Sequence, residues 1–289
     1  MNLPRLTQTS APLTCDVSAV NEFGDEISVS IPAERALTVY VDKRELVTLM
    51  TLGAHPELLV LGYLLNQRLA QSAHDIESIT VDWDVGAAAV HTRSGIADIE
   101  EKTSRRVVTT GCGQGSVFGG LMDEVDQIRL PESANISQSQ LYALVNTIRL
   151  KETTYKSAGS VHACALFALV GAEPKMLIFV EDVGRHNAID TIAGWMSMQP
   201  ESNLKRAEKV FYTTGRLTSE MVIKSAQMGV PMVVSRSGIT QMGHQVAQGV
   251  GLCAIGRATH KRFICYTNPR RLVLEPGLAG AKQELAKPL

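Results

Sequence analysis

At 289 residues the chain can bury one large core or two smaller ones, and its 45% hydrophobic and 20% charged residues are those of an ordinary globular protein. A formal net charge of −1 supplies no global field for nucleic acid or an anionic membrane, and 5% aromatic residues leave little for a base-stacking platform. Any anion site must therefore be a local cluster of basic side chains.

The opening Met1-Asn2-Leu3-Pro4-Arg5-Leu6-Thr7 lacks the charged and apolar succession of a secretory signal, and no stretch approaches the roughly 20 apolar residues of a membrane span. Five cysteines stand at 15, 112, 164, 253 and 265. The odd count, wide spacing and missing signal predict reduced thiols in the cytoplasm, without membrane insertion. The absence of a CxxC pair argues against a structural zinc or iron–sulfur site, so no metal site is expected.

Residues 1–33 are polar, broken by Pro4, Pro12 and Pro32, and read as a flexible arm or an edge strand. A β-rich amino-terminal domain is expected over residues 34–120. Ala36–Val41 and Glu45–Thr51 form its first hairpin around Asp42-Lys43-Arg44, and a helix follows over His55–Leu69 with Pro56 in its first turn. Strands at Ile76–Trp83 and Val85–Thr92 lead on to the loop Gly111-Cys112-Gly113-Gln114-Gly115. Glycine-rich backbone makes a poor helix or strand, which leaves either a connector or an exposed, reactive thiol at Cys112.

A connection with its linker at Pro131–Asn135 precedes an α/β domain assigned to residues 121–270. Ser137 and Gln140 make a capping box, and Leu141, Leu144, Val145 and Ile148 a buried stripe. Strands at 161–170, 176–180, 209–213, 232–235, 252–255 and 263–266 then interleave with helices near 188–196, 219–228 and 240–250. This alternation predicts a mixed or mostly parallel sheet with helices packed on it. Residues 271–289 read as a tail, frayed from Pro276 onward.

Ligands of such sheets sit at the carboxyl ends of strands. Three loops there are rich in polar groups: Glu181–Asn187 with Arg185, His186 and Asn187; Thr213–Glu220 with Arg216; and Ser235-Arg236-Ser237-Gly238. Together they point to a phosphate-bearing ligand. His162 reads as a satisfied core residue and Cys164, Cys253 and Cys265 as packing. The dinucleotide fingerprint, the P-loop and the PCxxC of zinc deaminases are all missing.

The run Glu181-Asp182-Val183-Gly184-Arg185-His186-Asn187-Ala188-Ile189-Asp190 resembles the long EDVGRHNAxD signature of the formate dehydrogenase accessory sulfurtransferases of the FdhD type. Gly159 with His162, Gly215-Arg216-Leu217, Ser219–Val222, Gly229–Ser237 and Gly256-Arg257 to Tyr266-Thr267 follow that family's order, so the likeness spans about residues 36–270. The resemblance implies a cytoplasmic homodimer whose larger half has a cytidine-deaminase-like α/β fold without the zinc. It implies sulfur taken from a cysteine desulfurase as a Cys112 persulfide and passed to the molybdenum bis(molybdopterin guanine dinucleotide) cofactor of formate dehydrogenase. It also places the cofactor segment at Ile255, Gly256, Arg257, Ala258, Thr259 and His260, with Arg185, His186, Asn187, Arg216, Ser235, Arg236 and Ser237 around it. Carboxylates such as Glu181, Asp182 or Asp190 are then candidates to read guanine. Gly115 stands where many members carry a second cysteine. That departure leaves a rival reading, a cofactor chaperone that performs no sulfur transfer.

Overall fold

Alternating burial builds the amino-terminal side. The computed structural model describes residues 2–96, 127–151, 154–171, 173–200 and 208–278. Its first strands are β1 (Arg5–Leu6), β2 (Thr14–Val20), β3 (Glu26–Pro32), β4 (Arg35–Val41) and β5 (Arg44–Thr51). Helix α1 (Pro56–Asn66) and strands β6 (Ile76–Asp82) and β7 (Ala87–Thr92) follow. A five-stranded sheet forms in the order β1-β6-β7-β4-β5, while β2 and β3, among the described residues, pair with each other alone. Leu37, Val39 and Val41 point inward from β4 and meet Leu59, Val60, Leu61 and Leu64 of α1 in one core. Asp42 and Lys43 both take positive φ (47° and 72°), which matches the right-handed twist of the β4–β5 hairpin. Arg68 at φ 57° closes α1, so the helix stops short of the expected Leu69.

The opening residues are not a loose arm. Arg5 and Leu6 pair with Ser78 and Ile79, and the buried Glu57 carboxylate accepts hydrogen bonds from the Thr7 hydroxyl (2.7 Å), the Thr9 N–H (2.7 Å) and the Thr9 hydroxyl (2.9 Å). Residues 14–32 form a full antiparallel ladder running from Thr14↔Pro32 to Val20↔Glu26.

The second half contains β8 (Ile136–Ser137), α2 (Gln138–Lys151), α3 (Thr154–Ala158), β9 (His162–Ala168) and β10 (Lys175–Asp182). It continues with α4 (Arg185–Ser197), β11 (Lys209–Thr213), α5 (Ser219–Gln227), β12 (Met232–Ser235) and α6 (Gln241–Gly249). β13 (Cys253–Thr259), β14 (Arg262–Cys265) and β15 (Leu272–Val273) complete it. The six-stranded sheet has the order β10-β9-β11-β12-β13-β14, parallel across β11-β12-β13 and antiparallel at its other joins. Its central strands are buried on both faces, which is why they read as unbroken apolar runs. Phe211 and Val233 pack toward α4, α5 and α6, whereas their neighbours Tyr212 and Val234 pack toward α2. The capping box is present: the Gln140 N–H donates to Ser137 Oγ (3.2 Å) and the Ser137 N–H to Gln140 Oε1 (3.0 Å).

Two expectations fail around this sheet. Within the expected linker Pro131–Asn135 one residue, Ala134, is buried, and directly after it β8 pairs in parallel with β15. The supposed tail begins with a buried Arg271, whose guanidinium donates to the carbonyls of Pro131 (2.5 Å) and Ala134 (3.2 Å). Arginine is the side chain able to satisfy several carbonyls at once, and this one clasps the two ends of the α/β half.

The halves meet where α1 crosses α4. Gly62 and Gly194 face each other there, and a methyl group on either would intrude on the opposite helix backbone, at Asp190 and Gly194 for Gly62 and at Leu58 and Gly62 for Gly194. Rigid backbone cannot yield as a side-chain tip can. Gly62→Ala should therefore cost about 3 kcal/mol or more in urea unfolding. Gly249→Ala, with open space around the added methyl, should change stability by no more than about 0.5 kcal/mol.

Candidate functional site

Strand polarity gathers the polar loops at one end of the six-stranded sheet. Thr213 at the end of β11 lies level with Cys164 near the start of the antiparallel β9, and His162 at that start lies opposite Asp182 at the end of β10. The parallel register Tyr212↔Val234 and Val234↔Ile255 brings the ends of β12 and β13 to the same edge.

Much of the Glu181–Asp190 motif holds the structure together. Glu181 accepts the N–H groups of Thr154 (2.9 Å) and Tyr155 (3.1 Å), capping α3. Asp182 accepts from the Thr51 hydroxyl (2.5 Å), Leu52 N–H (3.2 Å), Gly184 N–H (2.9 Å) and Asn187 Nδ2 (2.8 Å). Asn187 also donates to the Met50 carbonyl (2.6 Å). Asp182 and Asn187 thereby join the α/β half to the end of β5.

Asp190 lies fully buried beside the helix crossing. Its oxygens accept from Asn66 Nδ2 of α1 (2.6 Å) and pair with Lys224 Nζ of α5 (2.9 Å). Lys224, also fully buried, reaches Glu220 Oε1 at 3.5 Å. Burial raises the Asp190 and Glu220 carboxyls and Lys224 opposes the rise; the two acids in turn outweigh desolvation and hold Lys224 protonated. His186 sits 3.4 Å from Glu220 Oε2, yet burial first and then the charges of Lys224 and Arg185 depress its pKa to about 2. It is a neutral imidazole next to a carboxyl, not half of an ion pair. Asp190, with its oxygens engaged and no exposure, is unavailable to read guanine, and the buried, engaged Asp182 is equally committed.

Beside this network the loops form a basic cleft, of which Arg185 is a buried member. Arg185 starts α4 and packs over Gly215, where an added Cβ would lie 2.8 Å from Arg185 Cδ. Arg216 is exposed on the loop after β11, and the half-buried Arg236 stacks its guanidinium 5.2 Å from the centre of the Tyr155 ring. All three guanidiniums act electrostatically on His162, which is half-buried and 3.5 Å from the Thr214 hydroxyl. Burial first, then Arg185, Arg216 and Arg236, push its pKa below the ordinary imidazole value. His162 is thus half-buried at the edge where these loops meet, rather than fully enclosed in the core.

The other expected residues divide. Ser235 is buried, donating its hydroxyl to the Gly215 carbonyl (2.7 Å) and accepting the Ser237 N–H (2.9 Å), so it shapes two of the loops. Gly256 is required by contact, because a Cβ there would lie 2.9 Å from the Ser237 carbonyl oxygen and 2.7 Å from the Tyr266 ring. Arg257, at φ 51°, donates its N–H to that same carbonyl (2.7 Å) and leaves its side chain exposed. Ile255 and Ala258 are buried in the core beneath. Thr259 and His260 extend to the β13–β14 turn, where with Lys261 and Arg262 they line a shallow 490 Å³ hollow. Cys112 lies outside the described residues. Cys164 is buried, with its thiol pushed up to about 12, and donates to Thr213 Oγ1 (3.3 Å), so it is structural. Sequence reading missed Tyr155, Lys224, Asn66 and the Met50–Leu52 segment, whose roles arise from contacts far apart in the chain.

A family model described as the FdhD/NarQ family matches residues 32–273. The sulfur carrier protein FdhD of Bacillus subtilis is 29% identical over 239 residues, covering 83% of this chain and 88% of that protein. Its counterpart in Wolinella succinogenes is 26% identical over 252 residues, covering 87% and 85% respectively. A crystal structure of a candidate formate dehydrogenase accessory protein from Desulfotalea psychrophila aligns with a TM-score of 0.70 at 21% identity, over 91% of this chain and 100% of that one. At that identity the likeness is one of fold.

Removing the central cation tests the buried network. Lys224→Met should destabilise the protein by about 3–5 kcal/mol near neutral pH, because two buried carboxyls lose their counter-charge. Both already have raised pKa values, so the deficit should shrink as pH falls and the folded carboxyls take up protons. Urea unfolding of variant and parent across pH 5–8 measures both effects.

Proposed function

The chain belongs to the FdhD/NarQ family, and from that membership we propose that it is a sulfur carrier and sulfurtransferase serving formate dehydrogenase. The sulfur comes from a cysteine desulfurase: the Cys112 thiolate attacks the outer sulfur of the desulfurase persulfide, forming Cys112–S–SH and releasing the desulfurase thiolate. The recipient is the molybdenum bis(molybdopterin guanine dinucleotide) cofactor, bound as cargo on its way to formate dehydrogenase. Loss of the outer sulfur returns Cys112 to a thiolate. Gly115 leaves the loop with no second thiol to resolve the persulfide, so the two electrons needed for release as sulfide come from the acceptor or from a separate thiol.

The observation that carries this reading is the meeting of basic residues around the Thr213–Arg216 loop: Arg185 packs on Gly215, the Arg236 N–H donates to the Thr213 carbonyl (3.0 Å), and His162 lies 3.5 Å from the Thr214 hydroxyl. A guanidinium can hold phosphate through two donors, the exposed Arg216 is placed to do so with Arg185 and Arg236 adding positive charge behind it, and the carrier's cargo is rich in diphosphate. The Ser237 carbonyl accepts the Arg257 N–H (2.7 Å), which links the Arg236 loop to the Gly256–His260 segment. The mixed sheet with α4–α6 on one face and α2 on the other fits a cytidine-deaminase-like layout. A cytoplasmic homodimer completes the proposal. The absent second loop cysteine favours one alternative, a chaperone that delivers the cofactor without touching its sulfur.

Desulfurase and free cysteine should add one sulfur to the intact protein, and the adduct should disappear in Cys112→Ala and on treatment with a reducing thiol. An unmodified wild type, or an adduct that persists in the variant, removes Cys112 from the proposal. Formate dehydrogenase activity in cells separates the readings, since a sulfur carrier loses it with Cys112→Ser and a chaperone retains it.

A further inference from the structure

We propose that His162 is a conditional fourth cation of the basic cleft: its imidazole takes up one proton when phosphate groups bind between Arg185, Arg216 and Arg236. The inference rests on the reading that these loops hold the phosphates of a nucleotide-bearing cargo. His162 opens β9 at the edge where the loops meet, and its Nδ1 lies 3.5 Å from the Thr214 hydroxyl. The residues next to Thr214 tie the basic groups to it: Arg185 of α4 packs on Gly215, the Arg236 N–H donates to the Thr213 carbonyl (3.0 Å), and Arg216 follows directly, so that all three charges, with the neutral His186 of α4 behind them, act on the ring. The acid opposite it in the ladder, Asp182 of β10, directs its oxygens to Thr51, Leu52, Gly184 and Asn187.

In the empty cleft, burial and the guanidiniums keep the imidazole uncharged. A diphosphate reverses the electrostatic sum. Opposite charge within about 4–6 Å favours the protonated ring, which then adds an N–H donor to the bound anion. The proton comes from solvent, and the ring returns it when the anion leaves. A permanently charged residue would repel its neighbours in the empty site, whereas a histidine is charged only while cargo is present. Linkage fixes the sign of the pH dependence: affinity rises as pH falls through the liganded pKa of His162 and levels off below the pKa of the empty site. Between those values the slope approaches about tenfold in affinity per pH unit.

The test is calorimetric titration of the full chain with guanosine diphosphate, in two buffers of unlike protonation enthalpy, across pH 5.5–8. Wild type should take up more protons on binding than His162→Gln, by up to one per site, and its affinity should fall more steeply with rising pH. Histidine NMR supplies an independent reading: one imidazole should titrate at higher pH with the nucleotide bound. In the empty protein, Arg216→Gln, a change at an exposed position, should move that same resonance upward. Nucleotide binding with equal proton uptake in wild type and His162→Gln, or an imidazole pKa unmoved by ligand and by Arg216→Gln, would overturn the role of His162 while leaving the anion site standing. Failure to bind guanosine diphosphate at any pH would overturn the anion site and this inference together.

Discussion

The arrangement depends on a backbone-to-backbone approach of two helices. Gly62 on α1 and Gly194 on α4 let the helices approach more closely than any side chain would allow. That proximity brings Asn66 of one half within 2.6 Å of Asp190 of the other. Dispersion between closely apposed backbones and the hydrogen bond reinforce each other, because each requires the same crossing point. The second junction, from Asp182 and Asn187 to Met50–Leu52, fixes the end of β5 against the loop that begins α4. With both junctions made, the chain leading out of β7 starts from a frame locked to the basic cleft.

This division of labour explains why the Glu181–Asp190 motif is so dense in polar groups. Alternate members face different tasks. Glu181 caps a helix, Asp182 and Asn187 bind the neighbouring half, Asp190 anchors a buried lysine, and Arg185 faces the cleft. Burying Lys224 with Asp190 and Glu220 costs desolvation that hydrophobic residues would avoid. In return the ion cluster fixes the position of α5 relative to α4, and with it the loops that carry Arg185 and Arg216. A purely apolar seam could slide; paired charges with short, directed contacts tolerate far less displacement.

The sequence made most of the regular elements legible. Lys209–Thr213 and Met232–Ser235 emerge with the expected bounds because their apolar runs are bracketed by turn residues and buried on both faces. The capping box at Ser137 and Gln140 was equally readable, being encoded within a few residues. Long-range contacts were not. Nothing local distinguishes an arginine that clasps distant carbonyls from one in a frayed tail, or a threonine bonded to a carboxylate 131 positions away from a solvated one. The basic loops stood out by composition, yet composition could not separate Arg216, which reaches solvent, from His186, which burial keeps neutral. The position of His162 follows only from strand order: the antiparallel β9 returns its first residue to the edge where parallel neighbours end.

Arg271 has a consequence for how the molecule is made. It bridges back to Pro131 across 140 positions, and β15 pairs with β8 over a similar span. On a ribosome, β8 emerges long before β15, and the apolar stripe of α2 has its full partner only once the strands through β13 are out. The amino-terminal sheet, whose strands among the described residues all lie before residue 93, faces no such delay and can assemble while the rest is still being synthesised. Loop closure over that distance comes last, and the clasp that ties β8 to β15 beside the six-stranded sheet is also supplied late in translation.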